Sequence, residues 1–303
     1  MTMNELEFVE WLRGRQREHP AAVLGIGDDM EIVRVGEETI LLSSDMLLDG
    51  VHFDTFKHDL ALIGRKAIAC SLSDCAAMAV QPVASTISIA LSAGTSTEDA
   101  QELFRGASEI AAEYDLAIAG GDTTSWSSPL AIDVSIVASP FPGIEPVTRA
   151  GAKAGDTLYV TGPLGGSLLG RHLTFTPRVK EAKVLAETLG DRLHAMMDIS
   201  DGLSLDLWRL CWASGVGATL DEQDLQQVVS DDAQRLAERD GRPALEHALT
   251  DGEDFELLLA ACGQAPQIPG VTTHRIGTVT DSGLLIRRKD GQLEPLEPKG
   301  FVH

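Results

Sequence analysis

The apolar residues of this chain recur at two spacings, and the alternation between them divides it into helices and strands. Asn4 and Glu7 resemble a capping pair ahead of Phe8, Trp11 and Leu12, so a short helix is expected there with that apolar face in the core. GIGDDM at 25–30 follows as a glycine-flanked turn, and TILLSSD at 39–45 reads as a strand ending on polar residues. The run LALIGRKAIACSLSDCAAMAV predicts one long helix over 60–80. In VASTISIAL at 83–91, Val83, Ile87, Ile89 and Leu91 share one side of an alternating strand. A second helix is expected over about 97–114, and the short strand LAIA then runs into GGDTT, read as a glycine-rich turn.

After the strand-like LAIDVSIVA at 130–138 comes SPFPGIEP, rich in proline and near the midpoint, which places a domain boundary there: 1–143 and 144–303. The second half reopens with RAGAKAGDTLYVTGPLGG, a turn, a strand and a second glycine-rich turn. AMMDIS at 195–200 reads as a buried strand, and DGLSLDLWRLCWASG as the helix after it, stopped by Gly215. FELLLAA, HRIGTV and GLLIRR supply further strands. Strands and helices mix in both halves, so the expected class is α/β (α+β): two sandwich-like domains without an internal repeat.

Composition narrows the function. With 24 basic against 46 acidic residues the formal charge is −22, which repels nucleic acid and anionic membrane surfaces. No stretch approaches the ~18 apolar residues of a membrane helix, and the N-terminus lacks an apolar region with a cleavage site. The four cysteines, Cys70, Cys75, Cys211 and Cys262, lie too far apart for a CxxC pair or a zinc site and read as buried thiols of a reducing cytoplasm.

The chemistry lies in the aspartates. Asp28 and Asp29, Asp45, Asp122, and the pair Asp198 and Asp201 stand where strands or helices meet turns, while Asp74 interrupts an apolar helical stretch. Taken alone, Asp28, Asp122 and Asp201 read as helix caps or turn formers. Together they are another matter, because two carboxylates ~4 Å apart repel by about 4 kcal/mol at an effective dielectric of ~20. Magnesium, which favours oxygen ligands and substrate phosphates, relieves that repulsion. There is no G-x-x-x-x-G-K-[ST], and GIG in GIGDD is too short for a dinucleotide fingerprint.

Eight blocks in order, GIGDD, SSDMLLDGVHF, KAIACSLSDCAAMA, GGDTT, RAGAKAGDTLYVTG, MDISDGLSLDL, DGEDFELL and EPKGF, give the chain a resemblance to the thiamine-monophosphate kinase family. That family belongs to the ATP-binding superfamily that also contains aminoimidazole ribonucleotide synthetase. The resemblance implies transfer of the ATP γ-phosphoryl group onto thiamine monophosphate, with no covalent enzyme intermediate. It implies that Asp29, Asp45, Asp74, Asp122 and Asp198 hold several magnesium ions, assisted by Ser43 and Ser44 through hydroxyl or backbone oxygen, with Asp201 on a further ion. Gly121, Arg149 and Ser200 would contact ATP, and His52, Glu253 and Phe301 the thiamine phosphate. A homodimer paired through the N-terminal sheets, with the active site in a cleft between domains, is implied as well. The glycine-rich loop at 25–29 is a candidate lid.

Departures from the family pattern cluster on the acceptor side. Asp251 stands where the family has glycine, Phe255 where it has tyrosine, and Ser125 and Trp126 follow GGDTT where arginine and glycine are common. The connection GSLLGRHLTFTPRV is short. These differences keep two alternatives in view: a superfamily enzyme acting on another phosphorylated or amide metabolite, and a degenerate nucleotide-binding protein. Selenophosphate synthetase and the hydrogenase-maturation relative are disfavoured, because no cysteine precedes Cys70 and the tail is KGFVH.

Overall fold

The computed structural model describes residues 5–263, 268 and 270–301. A short helix α1 (Glu5–Arg13) precedes β1 (Ala22–Leu24), β2 (Glu31–Val35) and β3 (Glu38–Leu48). Then come α2 (Leu60–Ala77), β4 (Val80–Ser92), α3 (Thr97–Glu113), β5 (Ala117–Trp126) and β6 (Ala131–Pro140). These strands form a sheet in the order β1-β2-β3-β6-β4-β5, antiparallel except for β4 beside β5.

Beyond the proline-rich segment lie β7 (Thr157–Val160), α4 (Arg171–Thr174), α5 (Val179–Leu189), β8 (Leu193–Asp198), α6 (Leu203–Ser214) and β9 (Gly217–Asp221). The chain continues through α7 (Glu222–Leu225), α8 (Asp231–Asp240), α9 (Ala244–Thr250), β10 (Leu257–Ala261), β11 (His274–Thr280), β12 (Leu284–Arg287) and β13 (Leu293–Pro295). The second sheet runs β13-β12-β9-β11-β7-β10-β8. The expected α/β class with a sheet in each half is what the molecule has.

The continuous apolar run FELLLAA is explained by a strand buried on both faces. Leu257, Leu259 and Ala261 of β10 join the core around α2, whereas Leu258 and Ala260 join a separate core under α6. Met196 and Met197 of β8 divide between the two cores in the same way. Helix α2 is apolar nearly all round because it lies between the first sheet, α3 and α5. It can approach α3 closely only because glycines meet there: a Cβ on Gly64 would fall 1.8 Å from the Leu103 carbonyl oxygen, and one on Gly106 1.8 Å from that of Ala61.

Four expectations are corrected. Asn4 lies outside the described residues, but Phe8 and Trp11 are 42% and 50% exposed, stacked on each other rather than buried. Arg15 covers the Trp11 ring instead. Val83 is exposed, because the β4–β6 register slips between Pro82 and Ala84 and this bulge turns it out of the alternation. GGDTT is not a turn: β5 runs straight through it. Of the cysteines, all free, Cys262 is exposed while the other three are buried. No helix among the described residues is long and apolar enough to cross a membrane.

Candidate active site

The convergence of the aspartates follows from strand and helix periodicity. On β3, Ser43, Asp45 and Leu47 turn toward α2, and on α2 the residues Lys66, Cys70 and Asp74 recur every four positions and line one cleft. The tip of β8 brings Asp198, and the loop before β2 brings Asp28 and Asp29. The cleft encloses about 570 Å³. Within it, carboxylate oxygens of Asp29, Asp74 and Asp198 all lie within 4.8 Å of one another.

Burial raises the Asp74 and Asp198 carboxyls well above the usual carboxylate range, and neighbouring aspartates raise them further. Asp45 is raised for the same first reason, although Ser71 Oγ donates to it at 2.6 Å. Ser73 Oγ donates to Asp198 at 2.6 Å. Asp28 is pushed up to about 7 by burial and by Asp29, while Arg149 pulls it down. The principal cation of the group is Arg149, whose Nε and Nη2 donate to Asp29 at 3.0 and 2.5 Å and whose backbone N–H meets Asp28.

This donor set fits a hard divalent ion. Three carboxylates converge with one guanidinium among them. Ser43 Oγ is buried close enough to Asp74 to favour its ionised form, yet completes no hydrogen bond of good geometry. An orphaned buried hydroxyl beside crowded carboxylates is the pattern a cation completes.

Ser200, Asp201, His52, Glu253 and Phe301 line the same cleft. Asp201 is paired with Arg209, which also reaches Asp206 at 2.8 Å, so it stands beside the cluster rather than in it. Ser44 lines the cleft, but its hydroxyl donates to Asp133 at 2.9 Å on the opposite face, leaving its backbone for the site. Gly121 and Asp122 are not brought in. They lie on edge strand β5, and the register Met46↔Asp133, Ser88↔Asp133 and Ser88↔Asp122 puts Asp122 in the outward row. Gly121 is needed by the sheet itself, since a Cβ there would fall 1.8 Å from the Ile87 carbonyl oxygen.

The chain matches the family models for AIR synthase related protein, N-terminal domain over residues 27–139 and C-terminal domain over 153–288. It is 42% identical to the thiamine-monophosphate kinase of Rhodopirellula baltica over 99% of this chain and 97% of that one. The chain belongs to the thiamine-monophosphate kinase family. The Escherichia coli K12 member is 33% identical over 92% and 91% of the two chains. A solved structure described as AaThiL complexed with AMPPCP and TMP superposes with a TM-score of 0.85 at 27% identity, over 100% and 99% of the chains. The Escherichia coli hydrogenase maturation protein HypE, at 19% identity and a TM-score of 0.72 over 98% of each chain, shares the fold.

In this member of the thiamine-monophosphate kinase family, the cleft residue Lys66 had no place in the sequence reading. Lys66 is fully buried, donates from Nζ to the His52 carbonyl oxygen at 2.6 Å and pairs with Glu253. Its spacing of eight from Asp74 was the available signal. Asp251 and Phe255, which the sequence reading singled out as departures on the acceptor side, are braced internally. Asp251 accepts from His247 Nδ1 at 2.8 Å and from the Gly166 N–H at 3.1 Å, and Phe255 stacks on Phe175 with ring centroids 4.0 Å apart.

Proposed function

We propose that this chain transfers the γ-phosphoryl group of ATP directly onto the phosphate of thiamine monophosphate, giving thiamine diphosphate and ADP. The observation that carries the reading is one cleft holding the aspartate group at one end and the Lys66, Glu253 and His52 group at the other. Asp29, Asp74 and Asp198 would hold magnesium, with Asp45 and the Ser43 and Ser44 oxygens beside them and Asp201 on a further ion. Bound there, several such ions neutralise phosphate charge during in-line transfer.

The chain's own groups do the positioning. Arg149 opposes phosphate charge, and its bidentate hold on Asp29 fixes the 25–29 loop next to the nucleotide. Ser200 lies at the turn after Asp198 and contacts ATP. His52, Glu253 and Phe301 bound the acceptor. Phe301 is fixed through its backbone N–H, which donates to the Asp201 carbonyl oxygen at 2.9 Å. No side chain is required as a covalent nucleophile, and the buried thiols stay out of the chemistry.

The same proposal includes a homodimer working in the cytoplasm. Met46, Val83 and Trp126 are 62%, 45% and 45% exposed on strands of the first sheet, an apolar set that suits a second copy of that sheet. In such a dimer Gly121 and Asp122 lie at the subunit boundary, available to a nucleotide there. Residues 1–143 serve as the ATP, magnesium and dimerisation domain, and 144–303 complete the cleft. Purified protein with magnesium, ATP and thiamine monophosphate is expected to form thiamine diphosphate, read by chromatography, and Asp122→Asn to lose that activity. Absence of product from the unsubstituted protein would overturn the reading.

A further inference from the structure

The segment Asp251–Glu256 carries four carboxylates in six residues, and each meets a different partner. Asp251 meets His247, Asp254 meets Arg171, Glu256 meets Arg178, and Glu253 meets Lys66. This arrangement requires an unusual backbone. Gly252, Glu253 and Phe255 have φ of 73°, 56° and 51°, and a non-glycine residue enters that left-handed region only when its surroundings hold it. Here the N–H of Glu253 donates to the Ser200 carbonyl oxygen at 2.6 Å and that of Phe255 to the Ile199 carbonyl oxygen at 2.8 Å. The turn after Asp198 and the turn bearing Glu253 are therefore one braced unit.

Lys66 differs from the other partners. The Arg171 and Arg178 side chains are 22% and 25% exposed, as expected for guanidiniums at the rim of a pair, whereas the Lys66 side chain is 0% exposed. A buried ammonium is costly to desolvate, and an apolar residue on this helix would avoid that cost. Lys66 also shares the cleft-facing row of α2 with Asp74, eight residues on, an axial separation of about 12 Å along a rigid helix. The His52 carbonyl oxygen anchors its ammonium, which leaves Glu253 as the group it aims.

We propose that Lys66 is the positioning residue of the acceptor end, holding the Glu253 carboxylate at a fixed place relative to Asp74 so that it meets the cationic or N–H-bearing heterocycle of a phosphorylated acceptor. The inference rests on the kinase reading, and its test separates the two. The unsubstituted enzyme is assayed first, since lack of turnover there defeats the kinase reading itself.

With turnover established, Lys66→Met is expected to raise the KM for thiamine monophosphate at least tenfold and leave the KM for ATP within twofold. Glu253→Gln should act in the same direction. The double variant should be no worse than the worse single one, because Lys66 has no carboxylate left to aim. An acceptor KM within twofold of the unsubstituted enzyme, an equal rise in both KM values, or multiplying effects in the double variant would each overturn the proposal. If Lys66→Met alone does not fold, the double variant, which removes both charges together, is compared with Glu253→Gln. An unchanged acceptor KM supports the proposal and a further tenfold rise overturns it.

Discussion

Two groups of carboxylates, one converging in the cleft and one in the segment whose Asp251 and Glu253 line it, are partnered in opposite ways. In Asp251–Glu256 every acid has its own base, and Asp251, Asp254 and Glu256 accept from backbone or hydroxyl donors as well. Asp254 alone accepts from the Gly165 N–H, Ser167 Oγ and Arg171. In the other group Asp28 and Asp29 bond Arg149, Asp45, Asp74 and Asp198 have no base of their own among the described residues, and Asp29, Asp74 and Asp198 bring oxygens within 4.8 Å of each other. At Asp251, Asp254 and Glu256 the first arrangement is complete within the chain. The second is complete only when something positive enters, so one-to-one pairing marks structure at Asp251, Asp254 and Glu256 and an unpaired cluster marks a ligand site, with Glu253 the exception, paired to Lys66 in order to be aimed at the acceptor.

The largest effect should come from breaking the unpaired group. Asp198→Asn removes one carboxylate from the triad while keeping an acceptor for Ser73. Turnover is expected to fall by about 100-fold or more. The metal-free protein should melt no lower than the unsubstituted one, because a repulsive neighbour of Asp29 and Asp74 is gone. Steady-state kinetics and thermal melting in chelator check both halves, and a large loss of metal-free stability would erase the contrast between the groups.

The complementary substitution is Arg178→Met, which strands Glu256. Breaking one partner of a buried pair costs about 3 kcal/mol, and Thr161 Oγ, which donates to Glu256 at 2.7 Å, cannot replace two guanidinium bonds. Urea unfolding should show that loss, while kcat per folded molecule stays within a few fold. If turnover fell as far as in Asp198→Asn, the paired group would have to be counted as part of the chemistry.

How legible these groups were in the sequence differs for a physical reason. Asp74 was recognisable because a carboxylate inside an apolar helical stretch needs an explanation, whereas Asp29, Asp45 and Asp198 were singled out by their places at the ends of strands and turns and by the family blocks that contain them. Asp122 shared the pattern of an acid beside a turn, but its place in the fold was not legible. Its glycines suggested a turn, whereas β5 is a continuous edge strand, and one residue of register decides which face of a sheet a side chain takes. Lys66 passed unnoticed inside a helix that otherwise reads as core, since its partner Glu253 lies 187 positions away. Phe8 and Trp11 show the reverse error: helical spacing identified their common face but not what would cover it. The fold class and the elements carried by long apolar runs were legible, while β1, β2 and the stretch from β9 through α9 went unassigned, and the pairings, which depend on tertiary contact, were not legible.

A third prediction separates the groups by pH. Folding raises Asp28 and Asp206 from 3.8 to about 7, and Asp45, Asp74 and Asp198 in the same direction, all chiefly through burial. The folded state therefore binds more protons between about pH 4 and 7, and metal-free stability must fall as pH climbs through that window. Asp254, raised to about 6, adds to the decline. Among the described residues it is Asp29, Asp74 and Asp198 whose carboxylate oxygens converge closely enough to hold a metal ion, so magnesium should offset the decline and raise Tm more at pH 8 than at pH 5.5. A metal-free Tm expected to drop by about 5 °C over that range, together with the magnesium increment at each end, can be read by scanning calorimetry. A flat metal-free profile, or a larger magnesium increment at the acid end, would contradict the assignment.

The smallest effect is expected at Asp251, and it probes the comparison most finely. As a departure from the family pattern inside the cleft wall, Asp251 reads in the sequence as an added charge facing the acceptor. In the fold it is a brace, sharing its oxygens between His247, a 2%-exposed side chain, and the Gly166 N–H, with Arg242 at 3.5 Å. Asp251→Asn keeps the size and one acceptor oxygen, so the Gly166 bond survives and the pairing with His247 weakens. The cost should be about 1 kcal/mol of stability, with the KM for thiamine monophosphate within twofold. A tenfold change in that KM with stability unmoved would transfer Asp251 to the acceptor site. The rule that one-to-one pairing marks structure would then hold for Asp254 and Glu256 but fail on the residues of this segment nearest the substrate.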